Sequence, residues 1–151
     1  MIRIALTLLL LSFGLALPAA AQDAFAGKWL VTNAVVAPWA QPNVSYKPAA
    51  DPKFAHATFV FAKDKLTAPA PFNCKAHYKV MTVEYDYLFQ GGLTDPEKQA
   101  KALGFANPKI LNLEFACERA DADIEMDFHM ADPDTVIFGL NDIVYTMKRQ
   151  K

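Results

Sequence analysis

Few side chains in this chain are of the kind that do chemistry, and their spacing limits what each can do. Ser45 is the only serine beyond residue 21, and its setting, Asn43-Val44-Ser45-Tyr46-Lys47, has no G-x-S-x-G elbow to present a hydroxyl. Cys74 and Cys117 are the only cysteines. An even pair outside a reducing compartment reads as a disulfide, which leaves no free thiol to act as a nucleophile. Cys74-x-x-His77 has the spacing of a metal-ligand pair, and His129-Met130 resembles a copper-binding dipeptide. The disulfide claims Cys74, however, and neighbours on a strand point to opposite faces. With His56 far from both, the three histidines form no cluster, and no metal or other cofactor is expected.

Carboxylates are the remaining candidates. Asp123, Glu125 and Asp127 alternate with apolar residues, so as a strand they form one outward row. Side chains two apart on a strand sit about 6.5–7 Å from one another, inside the range used by inverting glycosidases. Acid catalysis also needs a pocket that raises one carboxyl pKa, and the sequence points to none. The row reads as a binding or solubilising stripe, and the protein as a non-enzyme.

Binding chemistry is better represented. A Pro-rich stretch, residues 37–53, holds Pro38, Pro42, Pro48 and Pro52 together with Trp39 and Tyr46. Proline limits the freedom of such a loop, and preorganised aromatics are what protein hot spots are built from. The competing expectation is that Trp39 folds back to plug a barrel mouth. Leu88-Phe89-Gln90-Gly91-Gly92-Leu93 is a second apolar loop, read as the entry turn of a packed helix rather than a lid.

The elements that must carry these residues are mostly strands. Lys28 to Val36 is a strand stopped by Ala37-Pro38-Trp39, and Phe54 to Ala62 with Lys65 to Ala68 reads as a hairpin split at Lys63-Asp64. Lys75 to Tyr87 forms another strand region. Leu111, Leu113, Phe115 and Cys117 alternate with polar or small residues, as do Ile124, Met126, Phe128 and Met130. Thr135 to Leu140 and Ile143 to Arg149 pair around Asn141-Asp142. A helix of about nine residues is expected from Thr94, whose Thr-x-x-Glu97 has capping-box form, with Pro96 near its start and Gly104 at its stop. The fold expected is mainly β: an antiparallel barrel of about eight strands with one short helix and one disulfide joining Cys74 to Cys117.

Before this domain lies a different kind of segment. Met1-Ile2-Arg3 is a short positive start, Ile4 to Leu17 is almost wholly apolar, and Pro18-Ala19-Ala20-Ala21 ends in an A-x-A site. That is the grammar of a cleavable signal peptide over residues 1–21, too short for a membrane span of about 20 apolar residues. Residues 22–151 are then a single exported domain, most simply periplasmic, with no transmembrane anchor after cleavage. Its formal charge is near neutral, −1 for the whole chain, which gives no reason to expect nucleic acid as a partner. The average hides a polarity: six lysines lie between Lys47 and Lys79, and eight carboxylates between Glu114 and Asp134.

Phe25-Ala26-Gly27-Lys28-Trp29 carries the G-x-W that opens the first strand of lipocalin-like (calycin) barrels, which the chain resembles at its two ends. In that family a basic residue of the last strand packs over the Trp, and the resemblance gives this part to Arg149. The helix lies mid-chain rather than late, and a second lipocalin signature is missing. In general build the chain is also similar to small periplasmic lysozyme inhibitors, without the Ser-Gly-x-x-Tyr loop of their best-known members. Two functions are expected from these readings. The first is a non-catalytic inhibitor or regulator of a peptidoglycan hydrolase, a basic muramidase, bound through Trp39, Tyr46, Asp123, Glu125 and Asp127. The alternative is a carrier holding a small apolar ligand inside the barrel, against the Met126, Phe128 and Met130 face.

Overall fold

On the strands expected from alternation, the apolar residues face one interior. The structure, a computed structural model, describes residues 22–41, 45–117 and 123–151. The signal-peptide segment, like residues 42–44 with Pro42, lies outside the described residues. Eight strands are formed: β1 (Gly27–Val36), β2 (Thr58–Phe61), β3 (Lys65–Thr67), β4 (Cys74–Val83), β5 (Ile110–Cys117), β6 (Ile124–Asp132), β7 (Thr135–Leu140) and β8 (Ile143–Arg149). Each pairs antiparallel with the next, and β8 returns to pair with β1, with Trp29 opposite Arg149 and Val36 opposite Ile143. Closure leaves no strand at a terminal sheet edge, although two ladders are short: β3 meets β4 only at Lys65 and Leu66, and β6 meets β7 only between His129 and Asp132. Cys74 and Cys117 are disulfide-bonded, joining the start of β4 to the end of β5 across a separation of 43 residues.

Aromatic rings fill the lumen. Phe59, Phe72, Phe115, Phe128 and Phe138 are all buried, and Phe54 enters among Phe59, Phe72, Phe138 and Tyr145 with centroids 5.4–6.5 Å away. Most of these contacts are tilted or edge-on, the arrangement that the ring quadrupole favours. Met126, Phe128 and Met130 belong to this core. Each fully buried ring adds roughly 1.5–3 kcal/mol of transfer free energy, so the packed interior dominates stability.

One end of the barrel is closed by the N-terminal turn. Trp29 is fully buried, its indole N–H donates to Phe25 O (2.8 Å), and the Arg149 guanidinium lies 4.1 Å from its ring centroid. The same guanidinium donates to Ala24 O and Ala26 O, tying residues 24–26 across the barrel end.

Several boundaries differ from the sequence expectation. Phe54 does not open a strand; it sits in a 3-10 turn, Pro52–Phe54, which Asp51 caps by accepting from Lys53 N–H. The period-two run Val83, Tyr85, Tyr87 is strand only to Val83, because Tyr85–Tyr87 turns into a 3-10 helix that buries Tyr85 against the outer wall. It leads to a four-residue helical turn, α1 (Leu88–Gly91), and then to α2 (Pro96–Ala102). In α2 the Thr94/Glu97 capping box does not form. Gln99 takes its place, accepting from Asp95 N–H and donating to Thr94 Oγ1, while Glu97 pairs with Lys101 one turn on.

Candidate functional site

A second apolar cluster lies on the outside of the barrel. Ile137 and Val144 project outward from β7 and β8 and are covered by Ala37, Tyr85, Leu88, Leu93, Ala100 and Phe105. Trp39 and Phe89 pack at the margin of this cluster, with ring centroids 5.1 Å apart and planes inclined at 42°. Trp39 is therefore folded back, but onto the outer wall and not into a barrel mouth. Its indole N–H donates to Asn141 O (3.2 Å), and Gly139 provides the room beneath it. A Cβ at 139 would stand 3.0 Å from Trp39 Cη2 and 3.1 Å from Phe89 Cδ1.

Two grooves meet here. The larger, about 490 Å³, runs between His77, Lys79 and Tyr87 on one side and Glu125 and Asp127 on the other. The smaller, about 280 Å³, lies between Trp39, Phe89, Asn141 and the same Glu125 and Asp127. Gln90 stands between them and lines both. Phe89 and Gln90 both have positive φ (53° and 57°), an uncommon pair of left-handed residues without a glycine. That backbone is held by a contact from below: Phe89 N–H donates to His129 Nε2 (3.1 Å).

His129 is fully buried, and burial lowers its pKa from 6.5 to about 3. The imidazole is thus neutral, and because Nε2 accepts from Phe89 its proton resides on Nδ1. Directly opposite on β5 is Asn112, also fully buried, whose Nδ2 donates to Asp127 Oδ1 (2.8 Å). His129 Nδ1 and Asn112 Oδ1, a complementary donor and acceptor, have no hydrogen-bond partner among the described residues. A line of polar groups therefore lies under the groove, from the Phe89 amide to the Asp127 carboxylate.

Above the sheet, both carboxylate oxygens of Glu114 are engaged. It accepts from Lys79 Nζ (2.9 Å) and Tyr87 Oη (2.8 Å), and these bonds hold its carboxyl below the usual range. The reciprocal bond, with burial and the nearby Asp127 charge, pushes the Tyr87 hydroxyl up to about 12. Glu125 has no ion-pair partner among the described residues, and Asp127 accepts only from Asn112. Among the described residues, the smaller groove is lined by two carboxylates and no lysine or arginine.

The structure brings Trp39, Glu125 and Asp127 together and leaves Asp123 and Tyr46 apart. Strand β6 begins at Ile124, so Asp123 precedes it and the expected row of three is a row of two. Tyr46 donates to Asp142 Oδ2 (2.6 Å) and lines a separate cleft beyond the β7–β8 turn. His129 and Met130 point to opposite sides of the wall, outward and into the lumen respectively. Phe89, Gln90, His129 and Asn112 were not singled out for binding by the sequence. The available signals were polar residues placed within otherwise apolar strands and a glycine, Gly139, inside β7.

Comparison with protein families, with curated proteins and with solved structures gave no match.

Proposed function

We propose that this is a non-catalytic periplasmic binding protein, exported by residues 1–21, that inhibits or regulates a peptidoglycan hydrolase of the basic, lysozyme-like kind. The observation that carries the reading is the pair of outer-wall grooves lined by Glu125 and Asp127, neither of which has an ion-pair partner among the described residues; Lys79, across the larger groove, is paired with Glu114. Complementary charge on a partner speeds encounter and fixes register, and the half-buried aromatics Trp39 and Phe89 give the site an apolar anchor. The disulfide supports export. Gly27-Lys28-Trp29 beneath Arg149 supports a lipocalin-like build for the barrel. Carrier function has less support, because a carrier needs about 300 Å³ or more of apolar space and this lumen is occupied by its own rings.

Titration of purified protein into a muramidase assay on cell walls tests this. Turnover is expected to fall at a fixed stoichiometry, and Glu125→Gln with Asp127→Asn to slow association and flatten its salt dependence. No inhibition across several muramidases, together with a co-purifying apolar molecule, would transfer the reading to the carrier.

A further inference from the structure

We infer that the smaller outer-wall groove is an arginine-binding pocket: it receives the guanidinium of an arginine on an extended basic segment of the partner. This rests on the binding reading above and names the group that the site recognises. Three features of the pocket select it. Glu125 and Asp127 are successive outward residues of β6, about 6.5–7 Å apart by strand geometry, and neither is paired with a cation among the described residues. Their charges therefore call for a positive occupant; a neutral sugar would desolvate both carboxylates without compensating them.

The walls distinguish arginine from lysine. Trp39 and Phe89 pack against each other, with ring centroids 5.1 Å apart and planes inclined at 42°, and both rings line the groove. A planar guanidinium stacks on such faces and offers five donors in a fixed fork, whereas an ammonium is a strongly hydrated point charge. Gly139 is there for space: its backbone is ordinary, and any side chain would displace both rings. The larger groove continues past Gln90 toward Tyr87 and Lys79, giving room for the rest of an extended segment.

The test uses Nα-acetyl-arginine methylamide, with the corresponding citrulline and lysine amides as controls, titrated into the 15N-labelled oxidised protein. Trp39 and Trp29 are the only tryptophans, so two indole N–H signals report the two sites separately. The Trp39 signal, assigned by its loss in Trp39→Phe, should shift saturably with a midpoint on the order of millimolar, as befits so small a ligand. Citrulline, isosteric but uncharged, should bind at least tenfold more weakly, and lysine more weakly than arginine. Glu125→Gln with Asp127→Asn should abolish the shift while leaving the Trp29 signal in place, which shows that the barrel is intact. Equal binding of citrulline, absence of a saturable shift, or saturation by a neutral disaccharide instead would each overturn the inference. Arginine binding without inhibition of any muramidase would support the pocket and remove the proposed function. Inhibition that survives the double substitution at full potency would remove the pocket and keep the function.

Discussion

Phe128 and His129 are neighbours on β6, equally buried, and they belong to two differently built regions. Phe128 faces a lumen made of rings in mutual contact, with the phenylalanines Phe59, Phe61, Phe115 and Phe138 at 5.0–6.2 Å. His129 faces an outer wall where buried polar atoms stand beneath a groove. Burial of Phe128 is favourable in itself, roughly in proportion to area. Burial of His129 and Asn112 costs free energy unless their hydrogen bonds are made, and two of those groups have no partner among the described residues. The lumen is thus organised for stability. The outer wall gives some stability up to hold Phe89, Gln90 and Asp127 in set positions.

Removing the ring on the lumen side should have the largest effect. Phe128→Ala is expected to lower unfolding free energy by about 3–5 kcal/mol, read from the midpoint and slope of chemical denaturation. The neighbouring groove should survive, as judged by an unchanged Trp39 indole signal under native conditions. A loss below about 1 kcal/mol would mean that the lumen is loosely packed, and the contrast between the two regions would collapse.

The outer wall should instead show itself through pH. Well above pH 6.5 the imidazole of His129 is neutral in both folded and unfolded chains and contributes no slope. Below that value the unfolded chain binds a proton which the folded protein refuses until about pH 3, so stability falls as pH falls across this window. Full burial makes the effect a few kcal/mol, at about 1.4 kcal/mol for each unit of separation. Carboxylates held low in the fold, such as Glu114, act in the same direction but below their ordinary value of 4.5. Between pH 6.5 and 4.5 the slope therefore belongs to histidine. His129→Gln, which can still accept from the Phe89 amide, should flatten that part of the stability curve. An unchanged slope would show that His129 is not the buried titrating group.

This contrast also decides what was legible in the sequence. The lumen could be read because strand period and apolar composition coincide: Leu113, Phe115, Met126 and Phe128 recur at every second position and all enter one core. The disulfide and the Asn141-Asp142 turn followed from equally local chemistry. The outer site was only partly legible. Glu125 and Asp127 were visible as a stripe and Trp39 as an exposed-loop aromatic, but nothing local places residues from 39, 89, 127 and 139 in one groove. Tyr85 and Tyr87 kept strand periodicity although tertiary packing turned them into a 3-10 segment. His129 and Asn112 looked like the polar face of an amphipathic strand, and only the covering segment between β4 and β5 buries them.

The smallest expected effect lies where a directional contact closes the lumen. Arg149 spans the end of the barrel above Trp29, with its side chain 25% exposed and its forked donors on Ala24, Ala26 and Pro133 carbonyls. If the ring face itself attracts the guanidinium, a double-mutant cycle of Trp29→Phe and Arg149→Gln should give a coupling of about 0.5–2 kcal/mol. Each single substitution will cost more than that, since Trp29→Phe also removes the donor to Phe25 O and Arg149→Gln frees the N-terminal turn. Only the coupling isolates the stacked pair. Arg149→Lys sharpens the point: it keeps the charge over the ring but loses the fork, so it should retain part of the coupling while releasing residues 24–26. Strict additivity would mean that Trp29 is held by burial and its bond to Phe25 O without help from Arg149, and the end of the barrel would then follow the lumen's way of building.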